Sequence, residues 1–402
     1  MKVRDIRLRC ARNCSLVLAA FLLAFTLWDE PAHAYAWMIK HDYAGCNQCH
    51  ADPSGGGVLT EYGRAQSDFL LRSRYGAKDS WEAPPSAGFL FGAFKLPPSV
   101  LLGGDVRYAT LSKTSGGTPT PTESFFMQAD FAGQITSNRF RVNGSIGYAE
   151  AGNALAANLT HSAEANAVSR VHWIGVDIGE DKNWLLRVGR MNLPFGIRSV
   201  EHTLWARTAT RTDINTSQQH GAALAYNGTN WRGEIMAIAG NLQVSPAEYR
   251  ERGYSAMFEY AAATNLGLGL SSLVTNAGRN LFFPQVPLTR QAHGGFARFA
   301  PWKPFVLMAE LDLIAQSPSG SPIQAGNVAM FQADFEPTQG VHLMVTAETL
   351  STPGSQGAAS EIWGSVAWFL APHFEIRMDA VRQSWPNRSP LTTLLAQIHA
   401  FL

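Results

Sequence analysis

Phe374-Glu375-Ile376-Arg377-Met378-Asp379-Ala380 places an apolar side chain at every second position and a charged one between. Successive side chains of an extended chain point to opposite faces, so this period predicts a half-buried β-strand. The same alternation sets Val341, Leu343, Val345 and Ala347 against His342, Met344, Thr346 and Glu348. It also sets Phe140, Val142, Ile146 and Tyr148 against Arg141, Asn143 and Ser145. The charged face is too consistent for the core of a sandwich, and the apolar face too consistent for a side bathed in water. A lipid-facing wall around a polar lumen accommodates both, because a closed barrel pairs every backbone group within the membrane.

The connections between these runs carry an independent signal. Short ones fall at Thr136-Ser137-Asn138, Glu180-Asp181-Lys182, Asn227-Gly228-Thr229, Ala263-Thr264, Pro301-Trp302-Lys303, Pro337-Thr338-Gln339 and Ala371-Pro372. Long stretches rich in Gly, Ser, Thr and Pro lie between them, near 113–121, 151–167, 195–217, 241–250, 277–289, 317–325, 351–358 and 384–390. Strict alternation of short and long implies roughly sixteen strands, an even number as in bacterial outer-membrane barrels. Leu394, Ala396, Ile398, Ala400 and Leu402 form an outward apolar row ending at the last residue. A soluble propeller or sandwich does not account for the asymmetry in connection length. The expected fold class is therefore all-β, a transmembrane antiparallel β-barrel over residues 86–402. In such barrels the short turns face the periplasm, so a chain whose first connection is long enters its first strand from that side.

Bulk properties agree. Only 16% of the 402 residues are charged, and 32 basic residues face 31 acidic ones, a balance that offers nothing to nucleic acid. Met1 to Cys14 carries Lys2, Arg4, Arg7, Arg9 and Arg12; Ser15 to Trp28 is an apolar run, and Ala32-His33-Ala34 supplies a small-x-small site. These are the three regions of a secretory signal peptide, so residues 1–34 are expected to be removed on export.

Residues 35–85 contain Cys46-Asn47-Gln48-Cys49-His50. Two thiols three apart with a histidine directly after the second make up the attachment signature of a c-type haem. Each thiol adds to one vinyl group of the porphyrin, which leaves His50 beneath the iron as proximal ligand. A zinc half-site, a disulfide or a redox dithiol are the other readings. Zinc needs more ligands than one Cys pair, and Cys10 and Cys14 lie in the leader. A redox C-x-x-C is expected near a βαβ pattern. For the sixth iron ligand His41 and Met38 are the candidates, with an open five-coordinate iron as the remaining option. Val58 to Arg74 reads as a helix over one porphyrin edge, from which Arg64 could pair with a propionate. About fifty residues is too little for an independent cytochrome core, so this small helical haem c segment needs shelter, as a plug would have.

A signal peptide, a single C-x-x-C-H segment and a porin-like barrel of about sixteen strands together resemble the fused monohaem cytochrome-porins of the bacterial outer membrane. Cys46, Cys49 and His50 carry that resemblance in sequence. The segment Gly189-Arg190-Met191-Asn192-Leu193-Pro194-Phe195-Gly196 is similar to a strand end found in many porins. The resemblance implies one covalent haem c and electron transfer between an extracellular reductant and a periplasmic c-type cytochrome or other carrier. Since some members oxidise extracellular Fe(II), it also implies a possible Fe(II) oxidase. The other expectation is a diffusion porin whose haem segment gates the pore or senses redox state. Acids and arginines share the lumen face (Asp105, Asp130, Glu310 and Asp334 with Arg107, Arg141, Arg187 and Arg377), and mixed charge of this kind lines most porins. No grouping by spacing supports hydrolytic catalysis.

Overall fold

The computed structural model describes residues 36–41, 45–74, 84–150, 159–160, 162, 164–199, 201, 203–281, 285–355 and 357–402. The expected leader, residues 1–34, lies outside the described residues.

Sixteen antiparallel staves form one sheet among the described residues. In chain order they are β1 (Val100–Ser115), β2 (Glu123–Ser137), β3 (Phe140–Glu150), β4 (Ala165–Val168 continued by His172–Ile178), β5 (Trp184–Met191), β6 (Gln219–Asn227), β7 (Trp231–Gly240) and β8 (Arg252–Ala263). The second half comprises β9 (Leu266–Ala277), β10 (Leu288–Trp302), β11 (Phe305–Pro318), β12 (Gln324–Thr338), β13 (Val341–Ser351), β14 (Ala359–Ala371), β15 (Phe374–Ser384) and β16 (Leu391–Phe401). The two segments of β4 both pair with β3 and make one interrupted stave. Each stave pairs with its sequence neighbours, and β1 closes on β16 from Asp105 opposite Phe401 to Ser115 opposite Leu391. Closure leaves no free edge to hydrogen-bond with anything else, which a wall in hydrocarbon requires. Short turns and long connections alternate around the barrel, within three residues of the places expected. The start of β1 and the end of β16 both lie at the short-turn rim, where Leu402 N–H donates to the Gly104 carbonyl at 2.8 Å.

Alternation decides which side of the wall each residue takes. Met378, Val345, Phe140 and Ile146 are exposed on the outside, whereas Arg377, Asp379, His342 and Glu348 are buried inside. An aromatic band runs along the outer wall at the short-turn rim: Tyr226 stacks on Trp231 with ring centroids 3.9 Å apart, and Trp302 on Phe305 at 5.3 Å. Such bands mark the membrane interface of barrels. Leu270, near the middle of β9, is 67% exposed on the apolar outside. Leu270→Arg is therefore expected to destabilise the lipid-inserted barrel by about 2–4 kcal/mol in denaturant titrations; an unchanged midpoint would remove that stretch of wall from lipid.

The main apolar cluster sits within the lumen. Trp37, Met38, Ile39, Cys49, Leu59 and Leu71 join inward residues from around the wall, among them Trp173, Met236, Leu273, Phe296 and Met330. Two segments build this filling. The N-terminal segment runs as a 3-10 turn (Ala36–His41), the Cys46–His50 turn, helix α1 (Glu61–Gln66) and a wider turn over Ser67–Leu71. Helix α1 begins three residues after the expected Val58. Val58 and Leu59 instead pair back on the haem-motif turn (Ala51 N–H to the Val58 carbonyl, 2.9 Å), and Thr60 caps the helix by accepting from Gly63 N–H at 3.0 Å.

The third long connection, residues 192–218, turns inward instead of outward. Gly196 N–H donates to Ser271 Oγ at 2.7 Å and Ile197 N–H to Glu310 at 2.9 Å. The first turn of α2 (Trp205–Thr210) rests on Glu348, which accepts from Trp205 N–H at 2.8 Å and Ala206 N–H at 2.9 Å. Gly196, at φ +59°, is where the Pro194-Phe195-Gly196 stretch bends into the lumen; a Cβ there would strike the Glu310 carboxylate and the Arg207 guanidinium.

Candidate functional site

Within the N-terminal segment, His50 N–H donates to the Cys46 carbonyl at 2.9 Å, closing one helical turn. Residues three and four apart share a face of such a turn, so this bond groups Cys46, Cys49 and His50. Both cysteines are buried and free of disulfide. Helix α1 crosses so close that a Cβ on Gly63 would lie 2.7 Å from Cys49 Cα, which is why only glycine fits there. Burial, with Cys46 adjacent, pushes the Cys49 thiol up to about 12. Burial pushes the His50 imidazole down to about 4, against the opposite pull of the Gly56 carbonyl, Asp52 and Asp105. A neutral imidazole is the form that ligates a metal.

The turn is tied to the wall two residues later. Asp52 takes the Arg187 guanidinium at 2.7 Å, Trp173 Nε1–H at 2.8 Å and Ser54 N–H at 2.8 Å, while Asn192 donates to Ser54 Oγ at 3.2 Å. Burial alone would raise Asp52, but Arg187 and the Ser54 hydrogen bonds outweigh it and hold the carboxyl below its ordinary value. Towards the short-turn rim Lys40 is buried between Asp334 (3.1 Å) and Glu336 (2.8 Å), and Ser73 N–H donates to the Phe369 carbonyl at 2.8 Å. Charges buried this deeply persist only when paired, so these contacts lock the segment in one position.

A cavity opens beside the turn. Cys46 and His50 line it, with Gly55-Gly56-Gly57 along one side and Arg107, Arg198 and His399 among the facing groups. Cys49 lies beneath Gly63 and does not line it. Of the donors a covalently attached haem would use, Cys46 and His50 line this cavity, Cys49 is free of disulfide on the same turn, and His50 Nδ1 is buried without a hydrogen-bond partner. Arg232 approaches Cys46 Sγ at 3.6 Å. Among the described residues no three His, Cys, Asp or Glu side chains converge to hold a metal ion.

The remaining candidates from the sequence are dispersed. Met38, 1% exposed, is buried in the apolar cluster, and His41 lies against Glu336 at 3.6 Å; neither lines the cavity beside His50. Arg64 is buried, donates to the Leu102 carbonyl and sits 6.0 Å from the Phe89 ring, also outside the cavity lining. Asp52 and Arg198 do not stand out in the sequence. Arg198 follows the Pro194-Phe195-Gly196 strand end by two residues, so a signal is present, but only the inward turn of that connection brings it to the haem motif.

No family model matches the chain, and no curated protein matches it. Solved structures do resemble its fold. Outer-membrane expressed OmpT of Vibrio cholerae aligns at TM-score 0.58 and 8% identity, covering 77% of this chain and 99% of that one. An anion-selective porin from Comamonas acidovorans aligns at TM-score 0.56 and 12% identity, covering 76% and 99%. The outer membrane channel DcaP of Acinetobacter baumannii aligns at 0.53 and 13%, again covering 76% and 99%. The fold is that of outer-membrane porins and channels.

Proposed function

We propose that this barrel lies in the bacterial outer membrane, carries one haem c on Cys46 and Cys49 with His50 as iron ligand, and passes electrons between an extracellular donor and a periplasmic carrier. Bound there, the haem supplies a one-electron iron couple. The observation that carries this reading is the position of the Cys46–His50 turn: it sits inside the lumen, tied through Asp52 to Arg187 and Trp173 on the wall. The hydrocarbon band of a barrel is about 25 Å tall, so a redox centre on the rim would leave most of it uncrossed. Trp37, Met38, Ile39 and Leu71 exclude water on the periplasmic side, and the inward-turned connection fills the lumen from the other. Such a filled lumen suits insulation better than free diffusion.

A second reading is a solute pore gated by the N-terminal segment. The solved neighbours favour it, since an anion-selective porin and an outer membrane channel are among them. Liposomes with an enclosed electron acceptor separate the two. A membrane-impermeant reductant added outside is expected to reduce the acceptor through the wild-type protein and not through the Cys46→Ala/Cys49→Ala double variant, with little solute leakage in either. Rapid leakage of small solutes without thiol-dependent electron flow would establish the pore instead.

A further inference from the structure

Arg198 is unusual among the lumen arginines. Its side chain is 7% exposed, yet none of its three guanidinium nitrogens has a hydrogen-bond partner among the described residues. Among the described residues Glu234 is the one carboxylate paired with it, at 3.9 Å, beyond hydrogen-bond range, and Glu234 is already held by Arg187 at 2.5 Å. By comparison, Arg377 is held by Glu201 and Asp379, and Arg187 ion-pairs with Asp52 at 2.7 Å and Glu234 at 2.5 Å. A buried cation with five unused N–H donors carries a large desolvation penalty. A carboxylate entering the same enclosure would take up these donors with charge-assisted hydrogen bonds. Arg198 lines the cavity that Cys46 and His50 also line, so its unused donors share that space with the haem motif.

Resting on the haem reading above, we infer that Arg198 is the receptor for a carboxylate in this cavity, namely a propionate of the haem held at Cys46, Cys49 and His50. The planar fork of a guanidinium matches a carboxylate with two parallel hydrogen bonds, which an ammonium cannot reproduce. The inward turn of residues 192–218 thereby gains a role beyond narrowing the lumen: it brings a counter-charge from the extracellular side to a group tethered from the periplasmic side. Arg64, the propionate partner expected from the sequence, is instead committed to the Leu102 carbonyl.

Arg198 acts on the haem only through its charge and hydrogen bonds, so the test reads the potential. Full-length wild-type protein and the Arg198→Gln and Arg198→Lys variants, each exported and purified as a heat-modifiable folded barrel, are titrated spectroelectrochemically. Loss of the positive charge leaves the propionate uncompensated and favours the oxidised iron. Arg198→Gln is expected to shift the reduction equilibrium roughly tenfold toward the oxidised form, which is about 59 mV lower for one electron. Arg198→Lys retains the charge and is expected to lie between the two. Covalent haem with the same midpoint in all three proteins overturns the assignment of Arg198 and leaves the haem reading standing. Absence of covalent haem from the wild type overturns both. A wild-type midpoint moved by added acetate as far as by Arg198→Gln assigns the guanidinium to a free anion and overturns the propionate.

Discussion

On the haem reading proposed above, Cys49→Ala is expected to yield a normally folded barrel with much less covalent haem. The staves close through backbone pairing from β1 to β16, and no thiol takes part in that closure. Truncating one buried sulfur leaves a small void, which costs about 1 kcal/mol or less when the surroundings relax and is far below what unfolds a barrel. Haem attachment is different in kind, since one thioether alone neither fixes the macrocycle nor keeps His50 aligned beneath the iron. In-gel peroxidase staining after denaturation, set beside heat-modifiability of the barrel, reads the two properties separately. Wild-type staining that survives in the Cys46→Ala/Cys49→Ala double variant would remove the motif from the function.

Arg187→Ala is expected to release the haem-motif turn from the wall. Arg187 is fully buried, bonds Asp52 at 2.7 Å and Glu234 at 2.5 Å, and lies 5.3 Å from the Trp173 ring. Its removal deprives two buried carboxylates of their close cation, leaving Arg198 at 3.9 Å from Glu234 as the remaining counter-charge, a loss of about 3–5 kcal/mol. Local release is a cheaper response than unfolding the barrel, so the expected readout is a rise in single-channel conductance across a planar bilayer. Acid should mimic the variant. Asp52 has a folded-state pKa held below its ordinary 3.8, so its contribution is complete above that value and is lost as pH falls through the lower, folded one. Wild-type conductance is expected to stay flat from neutral pH down to about 4 and to rise below it; Arg187→Ala is expected to conduct at neutral pH already. Equal conductance of the two proteins at neutral pH would show that this ion pair does not hold the segment in place.

Much of the architecture is legible in the chain. The alternation at Phe374–Ala380 and the long-short rhythm of the connections lead to sixteen staves, the outward row of apolar residues and both barrel ends at one rim. These are local properties: each strand declares its two faces through its own residues, and each turn through its own length. Cys46-Asn47-Gln48-Cys49-His50 is equally local, because three and four residues of separation decide what shares one turn. The helix starts later than its apolar spacing implies, since the backbone of Val58 and Leu59 is taken by Ala51 and His50.

Contacts between residues far apart in the chain are not legible. Asp52 meets Arg187 and Trp173, Lys40 meets Asp334, and Arg198 reaches the cavity of Cys46 and His50, because two segments fold into one lumen. Nothing within 192–218 distinguishes a connection that turns inward from one that stays outside, since its apolar residues gain their meaning only from the wall they bury against. Sequence alone therefore determined the wall, through periodicity, and the placing of Cys46, Cys49 and His50 on one turn, through spacing. Tertiary structure decided what fills the wall and which charges face the motif, because burial in a common lumen pairs groups that no local pattern connects.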